Sequence, residues 1–201
     1  MVIFERTYFV HSNISNYKDY RKRKFFQLAD DLVKILDLKQ TDNILDFGCA
    51  TGGLMYELKK RGFSKIKGTD LSYWAIEYGR NNFGFNEEEL QYHNVNLLMF
   101  PVDVLLFLDV LEHVPTVDEI NKLLKISNAP KVVIRVPISN KEGEPYVLDV
   151  SNNDVTHFQC HTKSWWIKLF EDCGYVLDIL LHGDAIYDSD GVFAGVFNKC
   201  E

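Results

Sequence analysis

Between Val102 and Asp109 the chain reads VDVLLFLD, an almost unbroken apolar run without the in-out alternation of a half-solvated strand. A strand of this kind is buried on both faces, so it has to lie inside a sheet that is covered on both sides. The flanking sequence supplies the cover, because short strand-like runs alternate with amphipathic segments of helical period, the pattern of a mostly parallel sheet between helices. Residues 17–37 are expected to form a helix with Phe25, Phe26, Leu28, Ala29, Leu32, Val33, Ile35 and Leu36 on one stripe. A strand follows at 43–47 and a helix at 51–61, opened by Thr51 and stopped by Gly62. A strand at 65–69 leads to a helix from Ser72, its N-cap, to about Asn81. Weaker strand character at 90–95 precedes the apolar run, then come a helix at 116–126 and a strand at 131–136.

Periodicity fails from Pro137 to His161, and a loop of that length inside a domain is the candidate substrate lid. It resumes with a helix at 163–173, ended by Gly174, and strand-like runs at 175–181 and 192–197. Nothing in the 201 residues marks a linker, so residues 1–201 read as a single domain. No apolar run approaches the roughly 20 residues of a membrane span and no signal-peptide core is present, which places the expectation in the cytoplasm. Cys49, Cys160, Cys173 and Cys200 are scattered and make no CxxC pair, as expected of free thiols in a reducing compartment. A net charge of -7 argues against a nucleic-acid partner, and the one basic run, Arg21 to Lys24, reads as a solvated helix face.

The stretch ILDFGCATGG, residues 44–53, runs a strand through a glycine-rich turn into a helix, so that backbone can approach a ligand closely. The turn Gly48-Cys49-Ala50-Thr51-Gly52-Gly53 could hold a dinucleotide pyrophosphate, but Asp46 opposes this: a carboxylate at the strand end repels phosphate and attracts a cation such as the methionine end of S-adenosylmethionine. Asp70 ends the next strand, where its two oxygens can accept both hydroxyls of a ribose.

With these residues in place the sequence resembles the class I S-adenosylmethionine-dependent methyltransferases. ILDFGCATGG resembles their first motif, KGTDLS their ribose-binding strand end, and LLFLDVLEHV the DxLEH segment after the fourth strand of many small-molecule members. The resemblance implies a Rossmann-like three-layer α/β sandwich, a mostly parallel seven-stranded sheet whose last strand inserts antiparallel beside the fifth after the Asp188-Ser189-Asp190-Gly191 turn. It implies that Asp46, Gly48 and Gly52, with Cys49 and Ala50 in the same turn, line the methionine portion, Asp70 and Leu71 the ribose and adenine, and Asp109 the floor near the sulfonium. Tyr17 or Tyr20 would cover the cofactor. Ala50 replaces the family's middle glycine, and Asn96 stands where an Asp often meets the adenine amino group.

For a hydroxyl acceptor the protein has to align the nucleophile with the methyl group and remove a proton. The candidates are His113, directly after the fourth strand, and His157, three residues from Asp154 in the irregular segment. No metal is assigned, although Asp149, Asp154 and His157 form an alternative ligand set; His157 as a mere pin of the loop is the third reading. One of Trp165 and Trp166 is expected in the core and the other as a platform for a sugar or ring. DVTHF ahead of a Trp-bearing helix resembles small methyltransferases of glycan assembly, so a sugar hydroxyl is the leading acceptor and another metabolite oxygen or nitrogen the next. An NAD-dependent oxidoreductase and a silent S-adenosylmethionine-binding module are the alternatives from other classes.

Overall fold

The computed structural model describes residues 4–10, 15 and 19–200. In chain order they form α1 (Arg6–Val10), a 3-10 turn at Tyr20–Lys22, α2 (Phe26–Ile35), β1 (Ile44–Phe47), α3 (Gly53–Lys60), β2 (Ile66–Asp70), α4 (Tyr73–Phe83), β3 (Leu90–Tyr92), β4 (Val104–Leu108), α5 (Val117–Ile126), β5 (Lys131–Pro137), α6 (Asp149–Asn152), α7 (Lys163–Asp172), β6 (Tyr175–Leu180) and β7 (Val192–Lys199). The strands make one sheet in the order β3-β2-β1-β4-β5-β7-β6. β3, β2, β1, β4 and β5 run parallel, and β7 lies antiparallel between β5 and β6. This is the Rossmann-like methyltransferase architecture implied by the resemblance.

β4 shows why the apolar run demands two helical layers. Val104 and Leu106 enter a core with Leu28 and Leu32 of α2, Leu54 and Met55 of α3 and Ile76 of α4. Leu105 and Phe107 point the other way, into a core with Ile120 and Leu124 of α5 and Trp166 and Phe170 of α7. Strand order reverses between β1 and β4, so the chain leaves their carboxyl ends in opposite directions and opens a crevice there.

One expectation needs correction, and a second gains detail. The helix expected over 17–37 is interrupted: residues 16–18, Tyr17 among them, lie outside the described residues, and Tyr20–Lys22 is a 3-10 turn capped by the Asp19 carboxylate, which accepts from Arg21 N. Arg23 is then extended, and α2 starts only at Phe26, because the Phe25 ring packs where a side chain on Gly53 would sit. Secondly, the 137–161 segment is irregular but tied down. Phe158 N and Gln159 N both donate to the Glu112 carbonyl, Tyr146 OH donates to the Gln159 carbonyl, and α6 supplies one short helix. Among the described residues no helix is long and apolar enough to cross a membrane.

Candidate active site

The turn after β1 is shaped by residues in the left-handed region, Gly48 (φ 83), Ala50 (φ 50) and Gly52 (φ 74). A side chain on Gly48 would also meet Val110 Cγ2 at 2.4 Å, so the turn and the loop after β4 can close on each other only with glycine there. Ala50 holds the conformation without a glycine because the Asp70 carboxylate fixes its N–H: Asp70 Oδ2 accepts from Ala50 N at 2.8 Å and Oδ1 from Ser72 N at 2.8 Å. Asp70 thus ties the glycine-rich turn to the start of α4.

This frame borders a cavity of about 450 Å³ in the crevice. Tyr20, Asp46, Gly48, Cys49, Ala50, Asp70, Leu71 and Asp109, all expected at the cofactor, line it. Gly52 does not: it is the N-cap of α3, and a side chain there would strike the Phe85 ring. Asn96 is also absent from the wall, because residues 95–99 turn into a 3-10 helix that carries it to the surface; Asn94 and Val95 take the lining position instead. The side chain of Asn94 caps that 3-10 turn by accepting from Asn96 N.

Two of the acids lining the cavity, Asp46 and Asp70, are hard to ionise in a ligand-free pocket. Burial, and after it the charge of Asp70, raises Asp46 to about 7, and burial raises Asp70 to about 6 against the pull of its backbone donors. Asp109 behaves oppositely. Burial would raise it, but the Arg135 guanidinium outweighs burial and holds it below the ordinary carboxylate range, with Nε donating to Oδ1 at 2.7 Å. Arg135 arrives there because β5 pairs with β4 in the register Leu108 to Arg135.

A second cavity, about 600 Å³, adjoins the first. Tyr8, Tyr20, Arg23, Asp109, His113 and Arg135 border both, so these six side chains are the partition between them. Arg23, read from sequence as part of a solvated face, therefore belongs to the partition; its Nη2 lies 3.7 Å from Asp109 Oδ2. The second cavity also holds the three expected catalytic residues, His113, Asp154 and His157, together with Glu112. The two imidazoles are 4.6 Å apart between ring centroids. Burial, then the neighbouring His157, pushes His113 down to about 4; burial lowers His157, with Asp154 opposing. Burial and then the charge of Asp109 raise Glu112 well above the ordinary range. Asp154 is held by Tyr8 OH, which donates to Oδ2 at 3.0 Å, and by the Thr156 hydroxyl and N–H, which donate to Oδ1 at 2.6 and 3.0 Å.

Asp149 is exposed and borders neither cavity, so the ligand set Asp149, Asp154 and His157 does not assemble. Trp166 is fully buried, as expected of one of the pair, while Trp165, with His161 stacked on it at 3.5 Å, borders neither cavity. Tyr8, Arg23, Asn94, Arg135 and Thr156 were not legible as site residues. Glu112 carried a signal, its place in DxLEH.

Residues 17–178 match the methyltransferase-domain family. The chain belongs to that family. Its cofactor is S-adenosylmethionine, and the buried Asp46 with the half-buried Asp70, in a cavity walled mainly by apolar side chains, fit a ligand that is cationic at one end and hydroxylated further along. A 60-residue stretch, 30% of this chain, is 37% identical to the ribosomal protein L11 methyltransferase of Dictyoglomus thermophilum, and covers 20% of that protein. Solved structures show the same fold at low identity. A protein of Pyrococcus horikoshii OT3 superposes with a TM-score of 0.68 at 19% identity, over 98% of this chain and 99% of that one. The magnesium protoporphyrin IX methyltransferase of Synechocystis PCC 6803 with bound S-adenosylhomocysteine does so with a TM-score of 0.61 at 16% identity, over 87% of this chain and 83% of that one.

Proposed function

We propose that this methyltransferase transfers the methyl group to a hydroxyl oxygen of a small acceptor, a sugar or glycan hydroxyl, held in the second cavity. The observation that carries the reading is the contrast between the adjoining cavities. The first is walled mainly by apolar side chains and backbone; the second adds Asp19, Lys22, Glu112, Asp154 and His157 to the shared Arg23 and His113, a lining suited to an acceptor rich in hydroxyls. The shared partition sets the acceptor against the cofactor, which is most of what an in-line displacement asks of a protein.

In this reading Asp46, with Gly48, Cys49 and Ala50, faces the amino-acid end of the cofactor. Asp70 takes the ribose hydroxyls through its remaining lone pairs, and Leu71, Asn94 and Val95 enclose the adenine. Asp109, locked by Arg135, forms the floor at the partition, and Tyr20 closes it from above. The cofactor supplies a methyl carbon on a sulfonium leaving group. The acceptor oxygen forms its bond to that carbon as the carbon–sulfur bond breaks, and the hydroxyl proton leaves into the cluster of His113, Asp154 and His157.

Incubation of the protein with S-adenosylmethionine and parallel panels of sugars, phenols, amines and carboxylic acids tests this. S-adenosylhomocysteine release is expected with sugars, and His157→Ala is expected to slow it by about a hundredfold or more while the affinity for S-adenosylhomocysteine stays unchanged. Turnover on amines alone would contradict the hydroxyl reading. Cofactor binding without turnover on any acceptor, and no effect of the substitution, would identify a silent binding module.

A further inference from the structure

Two side chains in the floor of the second cavity are buried beyond what their hydrogen bonds explain. Glu112 is 1% exposed, and its Oε2 has no hydrogen-bond partner. The His157 side chain is 5% exposed, and its Nδ1 makes no hydrogen bond of good geometry, although the Ser151 backbone lies near the ring. A buried polar atom without a partner forfeits the full value of its hydration, so two side chains carrying such atoms in the wall of one cavity mark a place built for something else.

The third member of the group is oriented from behind. His113 Nδ1 lies 2.8 Å from Thr156 Oγ1 and 3.2 Å from the Thr156 carbonyl. The Thr156 hydroxyl proton is committed to Asp154 Oδ1, so towards His113 both Thr156 oxygens accept. Nδ1 must then carry the imidazole proton, which leaves the Nε2 lone pair to point away from Thr156. An imidazole fixed by a hydrogen bond on one nitrogen and bare on the other is the usual arrangement of a histidine metal ligand. Asp154 Oδ2 lies 3.8 Å from His157 Nε2, close enough to favour a proton there but beyond hydrogen-bond reach, while the unpartnered atom is Nδ1.

Glu112, His113 and His157 each place a ligand atom within 4.8 Å of the other two, and all three border the acceptor cavity. Ligands about 2.1 Å from one ion stand roughly 3 to 3.5 Å apart, so side-chain torsions have only little more than 1 Å to close. Asp109 is excluded from the set because Arg135 grips its carboxylate. We propose that Glu112, His113 and His157 bind one divalent first-row transition-metal ion, whose remaining coordination positions open into the acceptor cavity. Two imidazoles and a carboxylate suit manganese, iron, cobalt or zinc; magnesium and calcium prefer sets made of oxygen alone. Resting on the reading that the acceptor is a hydroxyl, the ion takes the acceptor oxygen as a ligand and acidifies its proton. That proton passes to solvent, the oxygen forms its bond to the methyl carbon, and the carbon–sulfur bond breaks with its electron pair going to sulfur. With the ion bound, His113 and His157 serve as ligands rather than as acceptors of the hydroxyl proton, and Asp154 and Thr156 as positioning residues.

The test uses the purified chain, stripped with EDTA and titrated calorimetrically with manganese chloride and with zinc chloride. One ion is expected per chain, and Glu112→Gln and His157→Gln are each expected to weaken its binding at least a hundredfold. Asp154→Asn should weaken it by about ten- to a hundredfold. Added ion should raise the melting temperature of the parent protein and leave that of Glu112→Gln unmoved, a comparison that stands whether or not an acceptor is known. Absence of saturable binding to either ion, or binding that survives both ligand substitutions, would overturn the site. Methylation that proceeds undiminished in EDTA would overturn the role of the ion. S-adenosylhomocysteine titrated into the same stripped samples should bind normally, so a failure of the cofactor reading shows separately from a failure of the metal site.

Discussion

Asp70→Ala is expected to raise the dissociation constant for S-adenosylhomocysteine more than a hundredfold. Two charge-assisted hydrogen bonds to a ribose are worth about 3 kcal/mol together, which converts to that factor. The structure adds a second route to the same loss. The two carboxylate oxygens that have lone pairs to offer a ribose also fix Ala50 N and Ser72 N, so alanine frees the glycine-rich turn from the start of α4. Asp70→Asn separates the two routes, because its carbonyl oxygen can keep one backbone bond while its amide cannot accept the other. Calorimetric titration of both variants, with circular dichroism to confirm their folding, checks the expectation. Unchanged affinity in a folded Asp70→Ala protein would mean that the ribose lies elsewhere.

The second large effect has two signs. Asp46→Asn should abolish measurable binding of the cofactor and, at pH 8, make the ligand-free protein more stable. Burial and the charge of Asp70 move the Asp46 carboxyl from 3.8 to about 7, a displacement that corresponds to about 4 kcal/mol of strain on the ionised form. Because the folded-state value is raised, the stability belongs to the protonated form: it is present in acid and lost as pH climbs through about 7. Asparagine keeps the shape and never ionises, so the variant should melt higher than the parent at pH 8, by clearly less at pH 5, and level with it only below 3.8, where the unfolded carboxyl is protonated too. In the parent protein a cationic ligand needs Asp46 ionised, so affinity should fall by about tenfold for each pH unit below that value. Melting curves at the two pH values and titrations from pH 6 to 8 measure both parts. A variant that binds as well as the parent would remove Asp46 from the site.

What could be read from sequence was what lies within one strand-turn-helix unit. ILDFGCATGG announced its turn because glycine spacing and the strand-end acid are neighbours in the chain, and Asp70 because it ends the next strand. Asn96 does not border the cavity, since the 3-10 turn at Val95–Met99 exposes it and puts Asn94 in the wall. The helix at 17–37 failed for a similar reason: its apolar stripe is continuous in sequence, but the cap at Asp19 and the contact of Phe25 with Gly53 break the backbone. The partition was out of reach. Tyr8 meets Asp154 across 146 residues and Arg135 meets Asp109 across 26, through tertiary packing and sheet register that no local pattern encodes. The cluster beyond it was half legible, His113 from DxLEH and His157 from its spacing to Asp154, while the burial that leaves Glu112 Oε2 without a partner exists only in the fold.

The central claim is that the cavity at the carboxyl ends of β1, β2 and β4 is an S-adenosylmethionine site. Calorimetric titration of the purified chain with S-adenosylhomocysteine, with NAD and NADP as controls, tests it most directly. One site per chain with micromolar affinity for S-adenosylhomocysteine, and no heat from either dinucleotide, is the predicted result; binding of a dinucleotide alone, or of none of the three, would contradict it.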